Sequence, residues 1–291
     1  MASCNTCQSH SSCPHSTQSG GSGNCNKNDA LDKNLTLIRN KIFVMSGKGG
    51  VGKSSVTVNL AAALAAKGYK TGILDVDLHG PSIPNLLGIK STLKVDPETG
   101  AILPAQWQDK LSVVSMDTLL QDRDQPVLWR GPMKAQAIQQ FLTEVNWGSL
   151  DFLFIDSPPG TGDEHMTILK TIPDAKSIVV TTPQEISLAD VRKAINFLVE
   201  INSKILGLVE NMSGLACPEC GTEINLFKKG GGEELAKKYQ IPLLGVIPLD
   251  PVAVIASDLG IPVVSFEKEG PARRAFMTMA DKVANLCAEG N

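Results

Sequence analysis

Between residues 46 and 55 the chain reads SGKGGVGKSS, and no other stretch restricts its fold as strongly. Glycine at 47, 49, 50 and 52 lets the backbone curl with its N–H groups pointing inward, in conformations that side chains obstruct. The apolar run IFVM at residues 42–45 precedes this turn as a strand. The alanine-rich residues 54–67, stopped by Gly68, follow it as a helix. Strand, glycine turn and helix is the context in which this Gly-to-Lys-Ser spacing binds phosphate. The unpaired N–H groups and positive dipole end of the helix face the same anion. Gly47, Lys48, Gly49, Gly50, Val51, Gly52, Lys53, Ser54 and Ser55 are therefore the candidate nucleotide contacts. Lys53 is expected to reach the terminal phosphates of ATP, and the Ser54 hydroxyl to ligate magnesium.

The remaining sequence repeats the alternation. Apolar runs at 71–75, from Leu111, from Asp151, from Ser177, from Ile205 and from Ile241 read as strands buried on both faces. Stretches at about 132–146, 163–171, 187–202, 232–239 and 270–288 carry helical spacing between them. An α/β fold with a doubly wound, mostly parallel sheet is predicted, without internal repeats. A length of 291 residues alone suggests about two domains. No linker-like break interrupts the alternation, so residues 38–288 are expected to form one ATPase domain. Residues 1–30 are rich in Ser, Gly, Asn, Gln, His and Cys, and bury too little to offset the entropy of ordering. A flexible, Cys-rich segment is expected there.

Acidic residues on two strands extend the phosphate site. Asp75 and Asp77 end the second strand, at the sheet edge where open α/β folds bind ligands. Asp77 is placed to orient the attacking water, with a turn or cap role as its alternative beside Gly80 and Pro81. Asp75 is placed to steady the switch loop. Asp156 closes the run DFLFID before SPPGTG, which suits a carboxylate holding magnesium through water. The PPGTG run reads as a switch loop with glycine hinges. The Asn211 amide is a candidate for adenine recognition, and capping of a turn is its alternative.

A net charge of -3 offers no general attraction to nucleic acid or anionic membrane. No apolar run approaches the roughly 18 residues of a membrane span, and the N-terminus has no signal core. A cytoplasmic protein with neither nucleic acid nor membrane as partner is expected. Seven cysteines in that compartment point to metal or redox chemistry, since disulfides are rare there. Cys217 and Cys220, with Pro218 and Glu219 between, bring two thiolates within reach of one metal. Four thiolates are usual for an iron-sulfur cluster, so two subunits meeting at this loop complete the set. A redox pair or half of a zinc knuckle are the other readings. Cys4, Cys7, Cys13 and Cys25 suffice for either iron-sulfur or zinc ligation. Cys287 reads as a helix residue, and His10, His15, His79 and His165 receive no metal role.

Lys48 is a cation that a generic phosphate loop does not require. With it, the segment resembles the deviant loop of the family that includes MinD, ParA, the nitrogenase iron protein and the arsenite pump ATPase. That resemblance implies a homodimer in which Lys48 reaches across to the partner's phosphates, so Lys48, Lys53 and Asp77 are the catalytic candidates. In order, SGKGGVGKSS, ILDVDLHGPSIPNLLG, FIDSPPGTGDEH, ENMSGLACPECG and IPLDP make residues 41–270 resemble the Mrp and ApbC iron-sulfur carrier ATPases. This resemblance implies an ATPase that holds a 4Fe-4S cluster between two subunits through Cys217 and Cys220 and delivers it to apoproteins. It also implies that Pro248 and nearby backbone frame the adenine. The N-terminal cysteines repeat part of the spacing of the eukaryotic relatives, but Cys25 follows the trio instead of preceding it. A positioning ATPase of the MinD or ParA kind shares every phosphate-site residue and is the competing function. Its C-terminal stretch here lacks a strong cationic face for lipid.

Overall fold

The run after residue 37 becomes strand β1 (Ile38–Ser46), and its alternation sets the architecture. Ile42 and Val44 enter one buried apolar cluster while Phe43 and Met45 enter another, so both faces of the strand need cover. The structure, a computed structural model, describes residues 31–289 apart from 78–79, 81, 116–117, 119–130, 218–219, 221, 225, 228 and 267.

The remaining strands are β2 (Thr71–Asp75), β3 (Lys94–Val95), β4 (Ile102–Leu103), β5 (Ala105–Trp107), β6 (Leu111–Ser115), β7 (Leu150–Asp156), β8 (Lys176–Thr181), β9 (Lys204–Glu210), β10 (Leu215–Ala216), β11 (Glu223–Ile224) and β12 (Leu243–Val246). The helices are α1 (Lys53–Ala66), α2 (Ile83–Leu86), α3 (Gly131–Glu144), α4 (Asp163–Thr171), α5 (Glu185–Glu200), α6 (Gly231–Tyr239), α7 (Pro251–Asp258), α8 (Val263–Phe266) and α9 (Pro271–Ala288). Among the described residues, eight strands join one sheet in the order β12-β9-β8-β1-β7-β2-β6-β5. Its pairings are parallel except where β5 runs antiparallel to β6.

Helices α1, α7, α8 and α9 contribute to the first cluster, and α3 to α6 to the second. Ala61, Ala62 and Ala63 of α1 are fully buried, and their small side chains let this helix lie between the sheet and Phe276, Met279 and Val283 of α9. That near-complete burial explains why α1 shows no polar face. The mostly parallel, doubly wound prediction holds. β12 differs from its expected burial on both faces: it is the edge strand, and Val246 is 41% exposed. Helices α7 and α8, the small strands β3 to β5 and the β10–β11 hairpin go beyond the sequence reading.

The chain leaves β7 on one side of β1 and re-enters the sheet as β8 on the other. The order therefore reverses around β1, which puts the ligand crevice at its carboxyl end. A larger cleft of about 630 Å³, bounded by Met166, Phe197 and Ser203, lies toward the opposite edge of the sheet, where β9 begins.

Candidate functional site

The glycine turn springs from the carboxyl end of β1 and feeds α1. A side chain at Gly47 would collide with the backbone of Asp190 and Val191 in α5, so the turn sits flush on that helix. Gly52 is doubly constrained: its φ is +79°, and a Cβ there would strike the Asn211 amide. The resulting cleft of about 360 Å³ is lined by Ser46, Lys48 to Ser55, Asp77, Gly80, Ser82, Leu86 and Pro159. That is within the size range of small-molecule sites. Nothing crowds Gly50, which leaves its side of the turn open to a phosphate.

Asp156, fully buried at the end of β7, organises the floor. Its Oδ2 accepts from Lys53 Nζ at 2.7 Å and from Ser54 Oγ at 2.6 Å, and its Oδ1 accepts from Thr57 Oγ1 at 2.7 Å. These three donors sit on the first turn and a half of α1, where residues three and four apart share a face. A carboxylate and a hydroxyl side by side beneath a glycine cradle fit the donor set of a magnesium nucleotide.

Asp75 lies level with Asp156 on the neighbouring strand. It accepts from Ser115 Oγ at 3.0 Å and from the Asp77 N–H at 3.1 Å, so it ties β6 to the turn that carries Asp77. Burial, reinforced by the Asp156 carboxylate, pushes the Asp75 pKa from 3.8 to about 8, with Lys53 opposing the rise. The folded chain thus keeps this proton where the unfolded chain loses it. The stability gained is complete below about pH 4 and lost as the pH climbs to about 8. With magnesium chelated, urea unfolding across this range should show wild type losing stability relative to Asp75→Asn as pH rises. A difference independent of pH would contradict this.

The loop after β7 closes the cleft. Gly160 N–H donates to Ser46 O at 2.9 Å, which draws Pro159 against the glycine turn. Asp77, Gly80 and Pro159 also border an adjoining cleft of about 380 Å³ with Glu164 and His165. His165 lies in the first turn of α4, and only 1% of it is exposed.

On the other side, Asn211 Nδ2 donates to Val51 O at 2.9 Å. The amide proposed for adenine thus also braces the phosphate loop. Pro248 follows β12, where Ile247 N–H donates to Glu210 O and Leu249 N–H to Gly214 O, so it runs beside Asn211. The buried Glu210 accepts from Ser213 Oγ and from the Gly232 N–H at the start of α6. Six residues past Asn211 stands Cys217. Its N–H donates to Thr222 O at 2.9 Å in the β10–β11 hairpin, and Cys220 Sγ donates to Thr222 Oγ1 at 3.3 Å. Hydrogen bonding with Thr222 and then Cys217 lowers the Cys220 pKa below its usual range. Cys217 is half-buried, Cys220 is exposed, and both thiols are free. Among the described residues, no group of three or more His, Cys, Asp or Glu side chains is placed to hold a metal ion. The chain therefore presents a pair of thiols here, half the usual set for a cluster. Cys4, Cys7, Cys13, Cys25, His10, His15 and His79 lie outside the described residues.

Residues 37–284 match the ParA family described as NUBPL iron-transfer P-loop NTPase. The chain belongs to this family. An iron-sulfur cluster carrier protein of Methanocaldococcus jannaschii is 48% identical over 263 residues, covering 90% of this chain and 89% of the relative. The cytosolic Fe-S cluster assembly factor CFD1 of Candida glabrata is 50% identical over 226 residues, covering 75% and 79%. Among solved structures, a nucleotide-binding protein of Archaeoglobus fulgidus in complex with ADP is 40% identical, with a TM-score of 0.73 over 86% of this chain and 96% of that one. MinD of Pyrococcus horikoshii, complexed with Mg-ADP, is 26% identical, with a TM-score of 0.63 over 87% and 98%. Membership of this iron-transfer family and the MinD-like fold agree with the resemblance read from the sequence.

The structure brings Lys48, Lys53, Ser54, Asp77 and the phosphate loop, named as candidates from the sequence, together at one cleft, with Asp156 at its floor. The sequence reading missed Thr57, Glu210 and the structural work of His165. Thr57 had one signal: it stands four residues after Lys53 on a helix, hence on the same face. No helix among the described residues is long and apolar enough to cross a membrane.

Proposed function

We propose that this chain is a cytosolic, ATP-hydrolysing iron-sulfur cluster carrier that works as a homodimer. It holds a 4Fe-4S cluster as cargo between the Cys217 and Cys220 pairs of two subunits and passes it to apoproteins. The observation that carries this reading is the hairpin bearing two free thiols, with no third ligand among the described residues, in a chain of the iron-transfer family. A surface pair of this kind is completed by a second copy and remains open to a recipient.

For hydrolysis, the glycine turn and Lys53 bind the phosphates, and Ser54 with Asp156 hold magnesium. The ion supplies charge neutralisation on the phosphate oxygens. Asp77, at the mouth of the same cleft, orients the attacking water, and Asp75 fixes the turn that carries it. Asn211 and Pro248 border the base. The likeness to MinD is a likeness of fold and phosphate site, and the cysteine hairpin is what separates a carrier from a positioning ATPase.

Anaerobic reconstitution with iron and sulfide tests the cargo reading. Wild type should gain about one four-iron cluster per dimer, and the Cys217→Ala, Cys220→Ala double variant should gain almost none at that site. Removal of residues 1–30 reports separately on the N-terminal cysteines. Equal, low iron in wild type and double variant would sink the carrier assignment.

A further inference from the structure

His165 is buried in the first turn of α4, and both of its ring nitrogens are used. The Gly162 N–H donates to Nδ1 at 3.1 Å, so Nδ1 is the bare nitrogen and Nε2 carries the proton, which it donates to Pro158 O at 3.0 Å. The first bond is what a residue three places into a helix does for the residue that caps it, with histidine standing where Glu or Gln is usual. The second bond is not needed for capping. It reaches back to the far end of the segment Pro158 to Gly162, so one imidazole joins both ends of the loop whose second residue, Pro159, walls the nucleotide cleft. Phe43 and Phe197 hold the ring edgewise, with centroids at 5.8 and 6.4 Å and planes at 87° and 84°. Gly160 is anchored to Ser46 at 2.9 Å, so the loop is tied to the phosphate strand at its centre and to His165 at both ends.

We infer that His165 is a positioning residue for nucleotide hydrolysis: in its Nε2–H tautomer it staples the Pro158–Gly162 loop in the geometry that faces the phosphates. This rests on the hydrolase reading above. The device depends on a neutral ring, because an imidazolium would turn an Nδ1–H toward the Gly162 N–H, donor against donor. Burial lowers the His165 pKa from 6.5 and favours the neutral form. The charged groups that act on the ring are Glu164, itself paired with Lys134 at 2.8 Å, together with Lys53 and Asp77.

The test uses the full chain labelled with ¹⁵N, with magnesium and ADP or ATP as probes. At neutral pH the imidazole nitrogens should report the Nε2–H tautomer, and an Nδ1–H tautomer or an imidazolium overturns the staple. The Gly162 amide should exchange slowly in wild type and fast in His165→Ala. His165→Asn, whose side-chain oxygen can take the place of Nδ1, should recover protection and part of the turnover. In His165→Ala, kcat should fall about tenfold or more while ADP affinity moves less than about threefold. Unchanged turnover despite lost Gly162 protection, or equal loss of affinity and turnover, refutes a positioning role. If His165→Ala does not fold, His165→Leu, which fills the pocket beside Phe43 and Phe197 with neither donor nor acceptor, takes its place with the same expected kcat loss. Wild type that turns over no ATP refutes the hydrolase reading by itself, and the tautomer and Gly162 exchange then decide the staple.

Discussion

Lys48→Ala should lower ATP turnover by about 10³ while leaving nucleotide affinity and folding stability close to wild type, the size of effect known for a cation supplied in trans. Lys48 lines the cleft, is half-buried, and makes no ion pair among the described residues. Its removal therefore leaves no buried charge unpaired. On the proposed function the ground-state phosphate contacts come from the glycine turn and Lys53, so a cation acting only on the transition state should change kcat and spare binding. A mixing experiment separates action in trans from action within one chain. Lys48→Ala supplies an intact Asp77, and Asp77→Asn supplies an intact Lys48. Mixed dimers of the two inactive variants then contain one complete site, restoring about a quarter of wild-type turnover if subunits exchange at random. No recovery on mixing, with subunit exchange verified, would place the action of Lys48 within its own chain.

The second large effect concerns stability. Lys53 and Asp156 form an ion pair at 2.7 Å, with side chains 6% and 0% exposed. Breaking such a pair from one side costs about 3–5 kcal/mol, because the surviving charge is stranded. The two sides are not equivalent. Lys53 also borders the open cleft and can swing its ammonium toward water once Asp156 is neutral. Asp156 has no such exit and keeps only the hydroxyls of Ser54 and Thr57. Urea unfolding without nucleotide and with magnesium chelated should therefore show Lys53→Met costing more than Asp156→Asn. The double variant should cost less than the sum by about 1–3 kcal/mol. Additive losses would mean that the pair contributes nothing as a pair. All three variants should lose ATP turnover, which separates the electrostatics of folding from those of catalysis.

The parts of this molecule legible in its sequence are those with dense local signals. The phosphate loop carries its strand, its glycines and its helix within some 25 residues, and the strand ending in Asp156 is an unbroken apolar run up to its acid. Helix α7 had a start signal that was passed over: Asp250 caps it by accepting from the Val252 N–H at 2.9 Å, with Pro251 next in line. Its eight residues were too short for a helical period to stand out from the apolar run around them. Strands β3 to β5 and the cysteine hairpin are two or three residues long, and pairing partners rather than pattern define them. The edge position of β12 was equally invisible, since an apolar run does not say whether a neighbour lies on its far side. His165 was hidden for a different reason. Its partners at Gly162 and Pro158 are backbone groups, and backbone groups leave no mark in a sequence.

Asn211 touches the phosphate loop at Val51, and Cys217 follows it by six residues. An extended chain spans at most about 3.6 Å per residue, so the leash between the two is about 22 Å at full stretch. Connectivity alone then sets a ceiling on how far Cys217 can travel from the phosphate loop, whatever else in the molecule moves. In a dimer whose two hairpins grip one cargo, both phosphate loops are moored to the same object by tethers of equal length. A cargo so held cannot be handed over by a long swing of an arm. Its transfer must be a short-range event, with the recipient brought up to the hairpins.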